Sequence, residues 1–384
     1  MLSHGYRPFF FLAALFAGVA LPAWILAFAH GITLGRVGNA LGWHAHEMLY
    51  GYLSAVLAGF LMTAIPNWTG RLPVSGWPLA LFVVLWLAGR IAMLCGGDGP
   101  ESAPFRAADA LFLVALAAFV WREVMSGKNW RNLPVCGLVS LFAAGNILWH
   151  LEAVWLPLAG GSLRLGLGMA VMLMVLIGGR IIPSFTTNWL KKRKAIHLPA
   201  PFAGYDKVLL AWTALTVAAW IYVPDARGTG LAFIVTGVLH VVRLARWRGW
   251  ETAAEPLLLV LHVAYLWLPV AFVLMGVAVL APSSIGATTA LHALTAGAVG
   301  LLTVAVMTRA SLGHSGRELT AGVGTTAIYV LIWAAAVLRV SAPYLGVDYV
   351  LAVSVAGGLW AAGFGLFAAL YAPILLGPRR APGR

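Results

Sequence analysis

Long apolar runs are the feature of this sequence that most restricts its fold. Segments of about 20 residues with few charges recur along all 384 residues, and a run of that length can cross a bilayer as a helix. Hydrophobic residues make up 61% of the chain, charged residues 10%, and the mean hydropathy is +0.90. A chain of this composition has too few polar side chains to cover a water-facing surface. The sequence therefore predicts a polytopic integral membrane protein.

The predicted architecture is an all-α bundle of about twelve transmembrane helices, which form one integral membrane domain over residues 1–384. Strands would need a closed barrel with alternating polarity, whereas these runs are apolar on all sides and show no period of two. The predicted spans are residues 6–29, 41–65, 77–95, 105–121, 133–157, 163–185, 205–223, 229–245, 256–280, 285–310, 319–340 and 347–376.

The basic residues predict how the spans are oriented. When each Lys or Arg is assigned to the nearer end of its span, 19 of the 25 lie on the side shared by both termini and six on the other. The positive-inside rule then places both termini in the cytoplasm, as an even number of spans requires. The net charge of +13 is mostly loop charge that faces membrane lipid. The basic run at 191–194 is therefore interpreted as a topology anchor, and no nucleic-acid partner is expected.

Neither nucleotide hydrolysis nor a soluble domain finds support in the sequence. There is no Gly-rich phosphate loop and no Walker-type motif, so nucleotide hydrolysis is not indicated. The longest predicted loop, at about 186–204, is far shorter than a soluble domain. Function is therefore expected to reside in the membrane-spanning part.

The densest polar cluster is the sequence GWHAHEML at residues 42–49. It places His44, His46 and Glu47 near the beginning of the second span. Insertion of a charged group into the membrane costs roughly 2.5 to 3.5 kcal/mol. Metal ligation is one purpose that offsets such a cost; capping of a helix end at the headgroup level is the other interpretation. Glu47 could shuttle protons to a metal centre or orient a ligating imidazole.

The buried histidines fall into two sets by predicted depth. The outer set comes from three helices and contains His44, His46, His150 and His292. The inner set, on the cytoplasmic side, contains His240, His262 and His314. Neutral imidazole is a common ligand of iron and copper, and haem b needs one or two axial histidines from facing helices. A hydrogen bond between helices is the alternative role for each histidine.

Several polar residues are predicted to bind a cofactor near the cytoplasmic face. Arg180 and Arg309 could hold haem propionates, because guanidinium binds carboxylate in a bidentate manner; snorkelling to the headgroups is the rival interpretation. Asn67 and Trp68, with Arg7, could line a haem or quinone pocket. Trp68 is equally well explained as an interfacial belt residue.

Six motifs resemble the NnrS family. They are GYRPFF at 5–10, WHAHEM at 43–48, GFLMTAIPNWTG at 59–70, GGRIIP at 178–183, LHALT at 291–295 and MTRASLGHSGR at 307–317. The resemblance covers nearly the whole chain. It implies a multi-pass protein of the bacterial inner membrane that carries haem and copper and is linked to nitric oxide metabolism or to protection from nitrosative stress.

Three classes of function follow from the motifs and the span count. The first is a redox enzyme or sensor that binds nitric oxide at haem b and reduces it to N2O with electrons from quinol or another membrane donor. The second is a secondary transporter, since twelve spans with a basic central loop are typical of that class, although the two halves show no convincing internal match. The third is a metal-binding or assembly factor without turnover.

Overall fold

A computed structural model of the protein describes residues 1–32, 34, 40–97, 99–152 and 160–378. Twelve long helices make up most of this described part, joined by short loops. They are α1 (Tyr6–His30), α2 (Ala40–Thr69), α3 (Trp77–Cys95), α4 (Ala103–Ser126), α5 (Trp130–Glu152), α6 (Gly161–Lys192), α7 (Gly204–Tyr222), α8 (Arg227–Ala245), α9 (Pro256–Leu280), α10 (Ala287–His314), α11 (Val323–Tyr344) and α12 (Tyr349–Leu376).

Among the described residues, eleven of these helices are long and apolar enough to cross a membrane, which confirms the predicted polytopic helix bundle. The exception is α7, which is a 19-residue helix as predicted but carries Asp206 and Lys207 in its first turn. Its crossing of the membrane stays a prediction, as does the cytoplasmic location of both termini. The predicted end of the fifth span, at 153–157, lies outside the described residues. The predicted loop at 186–204 is shorter than expected, because α6 continues to Lys192.

The ends of the helices follow the local sequence. Helices α1 and α2 are followed by Gly31 and Gly70, whose φ angles of 66° and 72° are left-handed. Glycine adopts this conformation without a steric penalty, so it commonly terminates helices. At the other end, α9 begins with Pro256, and the side chain of Glu255 accepts a hydrogen bond from the Leu257 N–H.

Three of the helices contain a π-helical stretch. These stretches are Glu47–Leu53 in α2, Met174–Gly178 in α6 and Ala293–Gly300 in α10. Side chains from neighbouring helices bond to carbonyls in two of them: Trp86 Nε1 donates to Gly51 O at 2.9 Å, and Arg243 Nη1 donates to Val175 O at 3.0 Å. π-helical turns are frequent at functional sites, and the first of these begins at Glu47.

The chain divides into two compact units. The first unit comprises Met1–Ala170, Ala310–Arg317 and Phe364–Arg384; the second comprises Val171–Arg309 and Glu318–Gly363. In the first unit, α1 packs against α2, α3 against α4, and α4 against α5. In the second unit, α8 packs against α7 and α9, and α9 packs against the π-helical stretch of α10. The assignment of the whole chain to one membrane domain stays a prediction.

A glycine allows α3 and α4 to approach closely in the first unit. A Cβ atom added to Gly89 would lie 3.1 Å from Oδ1 and 3.2 Å from Cα of Asp109. We expect Gly89→Ala to lower the free energy of unfolding by about 1 to 3 kcal/mol, because the two helices must separate to admit the methyl group. Thermal unfolding in detergent measures this change.

Gly137 on α5 provides the matched control, since an added Cβ there meets no heavy atom within 4 Å. Gly137→Ala should be neutral or slightly stabilising, because alanine favours helix by about 1 kcal/mol over glycine. Equal unfolding temperatures for the two variants would contradict the close approach at Gly89.

Candidate metal centre

A buried polar cluster connects helices α2 to α5 of the first unit. Its members are between 0 and 7% exposed and are His46, Glu47, Arg90, Asp109, Asn146 and His150. His46 and Asp109 lie near the beginnings of α2 and α4, whereas Arg90 and His150 lie near the ends of α3 and α5. Because consecutive membrane-spanning helices run in opposite directions, these positions fall at one level of the unit.

The His46 ring is held through both of its nitrogens. Its Nδ1 lies 2.8 Å from Oε1 of the neighbouring Glu47. Its Nε2 lies 2.9 Å from Asn146 Oδ1 and 3.2 Å from Asp109 Oδ2. A carboxylate on the far nitrogen is the usual support of a metal-ligating imidazole. Glu47 therefore orients His46 with its Nε2 directed at Asp109.

Asp109 is the central acceptor of the cluster. Its Oδ2 accepts from Asn146 Nδ2 at 2.9 Å and lies 2.8 Å from His150 Nε2. Its Oδ1 pairs with Arg90 Nη2. The Nδ1 atom of His150 is buried and has no hydrogen-bond partner among the described residues. One carboxylate oxygen thus faces two imidazoles, while the other faces a guanidinium group.

Arg90 bridges the two carboxylates of the cluster. Its Nη1 donates to Glu47 Oε1 at 2.6 Å, and its Nη2 pairs with Asp109. Gly51 leaves space for this arrangement, because a Cβ atom there would overlap the guanidinium and lie 3.2 Å from Glu47 Oε2. Two carboxylates and one guanidinium leave one negative charge, which a second proton on His46 balances, because both of its ring nitrogens face acceptor oxygens. A bound cation would take the place of that proton in a site with little water to screen charge.

Three members of the cluster are placed to hold a metal ion. One ligand atom from each of His46, Asp109 and His150 lies within 4.8 Å of the other two. In a tetrahedral site with bonds of about 2.1 Å, ligand atoms lie about 3.4 Å apart. The distances of 3.2 and 2.8 Å from Asp109 Oδ2 to the two imidazoles are slightly shorter than this. Small side-chain shifts would therefore admit an ion.

The predicted outer set of histidines is only partly brought together in the first unit. The rings of His46 and His150 have their centroids 5.4 Å apart. His44 instead stacks on Trp24, with centroids 4.1 Å apart, so the two histidines of the WHAHEM motif contact different groups. His292 belongs to the second unit, where its Nδ1 donates to a backbone carbonyl one turn earlier at 2.7 Å.

The predicted inner histidines of the second unit have separate hydrogen-bond partners. His240 Nε2 lies 3.1 Å from Thr213 Oγ1, and its Nδ1 lies 2.9 Å from the Tyr265 hydroxyl. His262 Nε2 lies 2.9 Å from Thr186 Oγ1. Both nitrogens of His240 thus contact side chains of neighbouring helices. A hydrogen bond between helices is the alternative to metal ligation that the sequence leaves open.

Three residues predicted to bind a cofactor lie in the first unit with partners of their own. Arg7 is 3% exposed and its Nη1 donates to the carbonyl of Gly377. Asn67 Nδ2 donates to a carbonyl one turn earlier at 3.4 Å. The Trp68 ring faces Phe60, with centroids 6.4 Å apart. Their role toward a cofactor stays a prediction.

The remaining predicted residues are divided between the units. In the second unit, the guanidinium carbon of Arg309 lies 4.0 Å from the centre of the Phe185 ring, and Arg180 is half-buried in α6. In the first unit, His314 lies at the end of α10 with its ring 5.8 Å from that of Tyr6. Their binding of haem or another cofactor likewise stays a prediction.

Arg90, Asp109 and Asn146 complete the cluster although no local motif marks them. The signal that identifies two of them is charge within an apolar run: Arg90 stands inside the predicted span 77–95 and Asp109 inside 105–121. An ionisable side chain at such a position is a functional candidate by default. Asn146 has no comparable signal, since a single amide in a helix is common.

Fold and cluster together define a polytopic helical membrane protein with a buried candidate metal centre. A family model described as NnrS protein matches residues 1–379. The chain therefore belongs to the NnrS family, which confirms the resemblance of its motifs and links it to nitric oxide-related function. No curated protein matches the chain.

Proposed function

We propose that this protein binds nitric oxide at a transition-metal ion held by His46, Asp109 and His150 in the bacterial inner membrane. The observation that carries the proposal is the convergence of two imidazole nitrogens and one carboxylate oxygen from three helices. Imidazole suits copper, iron and zinc, and three protein ligands leave a coordination position open for a small molecule. Membership of the NnrS family supports nitric oxide as that molecule.

The reaction that we propose is the reduction of two NO molecules by two electrons and two protons to N2O and water. Quinol or another membrane donor supplies the electrons. The residues of the chain contribute in three ways. His46, His150 and Asp109 bind the metal, and Glu47 and Arg90 hold these ligands in position through hydrogen bonds. The surrounding helices exclude water. His46 and His150 are 0 and 4% exposed, which supports this exclusion of water.

Haem b and copper are the cofactors that the family resemblance implies. The triad of His46, Asp109 and His150 fits a single transition-metal ion. An axial haem ligand must turn one ring nitrogen to the iron, so His240 would have to give up its contact with Thr213 or with Tyr265 to serve as one. Haem binding by a histidine outside the triad stays a prediction that pyridine haemochrome analysis tests.

Glu47 has two candidate roles, and its contacts favour one of them. Its Oε1 atom lies 2.8 Å from His46 Nδ1 and accepts a hydrogen bond from Arg90 Nη1 at 2.6 Å. Two such contacts on one oxygen fix the Glu47 carboxylate in place. This supports the role in which Glu47 orients the His46 ring. Proton delivery to nitric oxide is the other role.

A Glu47→Gln variant separates these roles. If Glu47 orients His46, we expect metal affinity to fall about 10- to 100-fold, as is typical for the loss of an outer-shell partner. Isothermal titration of the metal-free protein measures the affinity. Unchanged affinity together with slow NO turnover would instead assign proton transfer to Glu47.

Glu123 offers a matched control for this variant. It is also a buried glutamate on a helix of the first unit and pairs with Arg71 and Arg122, but it is not part of the cluster. Glu123→Gln should leave the metal affinity unchanged. If it lowers the affinity as much as Glu47→Gln does, the effect reports general destabilisation rather than orientation of a ligand.

The proposed function as a whole is tested by metal analysis and nitric oxide binding of the detergent-purified protein. We expect bound metal and an optical change when NO is added under anaerobic conditions. A folded, colourless and metal-free protein from metal-replete cells would contradict the proposal and favour the secondary-transporter interpretation. Metal and NO binding without N2O formation would favour a binding or assembly role.

A further inference from the structure

The ligand set of the cluster bears on which metal it selects. It consists of two imidazoles and one carboxylate, from His46, His150 and Asp109. Sulfur is absent from this triad. Soft thiolate and thioether ligands select Cu(I), whereas two histidines and one carboxylate that leave open positions are typical of non-haem Fe(II). The donor types therefore differ from those that select Cu(I) and match those of non-haem Fe(II) sites.

Asp109 can contribute only one oxygen to a metal. Its Oδ1 is paired with Arg90, and its Oδ2 is the atom that faces both imidazole Nε2 atoms, at 3.2 and 2.8 Å. Adjacent ligands of an octahedral ion with bonds of about 2.1 Å lie about 3 Å apart. The two distances from Oδ2 lie on either side of that spacing, and the two imidazole nitrogens lie within 4.8 Å of each other. The aspartate would therefore act as a single-oxygen ligand, adjacent to each histidine.

The surroundings hold the three ligand side chains in place. Glu47 holds His46 from behind through Nδ1, and Arg90 holds both carboxylates. The ligands come from α2, α4 and α5, so three helices fix three ligand atoms. Three fixed ligands on an ion that prefers six leave coordination positions for exogenous molecules.

We infer that the cluster binds non-haem ferrous iron and that nitric oxide binds directly to an open position of this iron. The inference rests on the proposed function and adds to it the identity of the metal and the place at which NO binds. Nitric oxide adds to the iron as a ligand, so no atom is transferred and no further reactant is needed. Asp109 and the two histidines stay bound throughout.

The test uses full-length protein purified anaerobically in detergent, stripped of metal by a chelator and titrated separately with Fe(II), Cu(I) and Zn(II). Nitric oxide is then added to the iron-loaded sample, and its electron paramagnetic resonance spectrum is recorded. We expect the high-spin ferrous-nitrosyl signal of a non-haem site, which differs from the low-spin signal of nitrosyl haem. Pulsed measurements on the wild-type protein should detect nitrogen couplings from two imidazoles.

Variants locate the iron within the chain. His150→Ala should reduce the high-spin signal at least tenfold, whereas His240→Ala, a buried histidine of the second unit, should retain it. If His150→Ala does not fold, the couplings of the wild-type protein still test whether two imidazoles bind the iron. A high-spin signal that survives His150→Ala, or couplings from no imidazole, would overturn the assignment.

The metal titrations separate failure of this inference from failure of the proposed function. Binding of copper but not iron at the cluster would overturn the iron inference and leave a nitric oxide-binding metal centre intact. Binding of none of the three metals would contradict both. Iron binding without a nitrosyl signal would overturn the direct binding of NO.

Discussion

Arg90→Ala is expected to destabilise the protein by about 3 to 5 kcal/mol, the usual cost of removing one partner from a buried ion pair. Arg90 contacts the carboxylates of Glu47 and Asp109, which are both 1% exposed. Without the guanidinium, two negative groups would face each other in a site that water does not reach. The loss should appear as a lower thermal unfolding midpoint in detergent, or as failure to accumulate in the membrane.

Two further variants identify the cause of this loss. Arg90→Lys keeps the charge but cannot donate to both carboxylates in the same planar geometry, so an intermediate stability is expected. Arg71→Ala removes an arginine that is 44% exposed and pairs with Glu123, and such a pair contributes at most about 1 kcal/mol. Equal effects of Arg90→Ala and Arg71→Ala would show that Arg90 does not neutralise the buried carboxylates.

Single alanine variants of His46 and His150 are expected to lose bound metal almost completely. Each removes one of three ligands, and the loss should exceed the 10- to 100-fold reduction that is typical when only an outer-shell partner is changed. Metal per chain after purification, and affinity after stripping and reloading, measure the effect. His262→Ala, which removes a buried histidine of the second unit, should retain the metal of the cluster.

Asn146→Ala tests whether loss of metal follows from loss of a ligand or from disturbance of the cluster. Asn146 bonds to both His46 and Asp109 but lies outside the triad. Its removal should weaken metal binding less than removal of either histidine. Equal losses in all three variants would mean that the hydrogen-bond network, and not a set of three ligands, is responsible.

Most of the fold follows from the sequence, because lipid leaves a chain few alternatives. Helices satisfy their backbone hydrogen bonds internally, so an apolar run of about 20 residues predicts a spanning helix with little influence from its neighbours. The charged first turn of α7 is less predictable. Asp206 there accepts a hydrogen bond from Arg243 on α8, and a local sequence pattern does not reveal that partner. The π-helical stretches were not predicted either.

The sequence predicts only part of the candidate site. His46 and Glu47 are adjacent in the WHAHEM motif, and this cluster of polar residues in an apolar run predicts that both belong to a site. Predicted depth alone places His150 with His46, and the structure brings the two rings to 5.4 Å between centroids. Asp109, the central ligand, is separated from His46 by two helices, so only tertiary packing reveals that they meet. The same packing separates His44 from the cluster by turning it toward Trp24.

X-ray absorption spectroscopy of the metal-loaded, full-length protein is the most direct test of the proposed centre. We expect nearest neighbours that are nitrogen and oxygen atoms only, with the outer scattering of two imidazoles in the wild-type protein. His46→Ala should reduce this scattering to one imidazole or abolish metal binding, while His240→Ala should leave the spectrum unchanged. A spectrum that shows sulfur ligands, or one that is the same after replacement of His46, His150 and Asp109, would contradict a metal centre at this cluster.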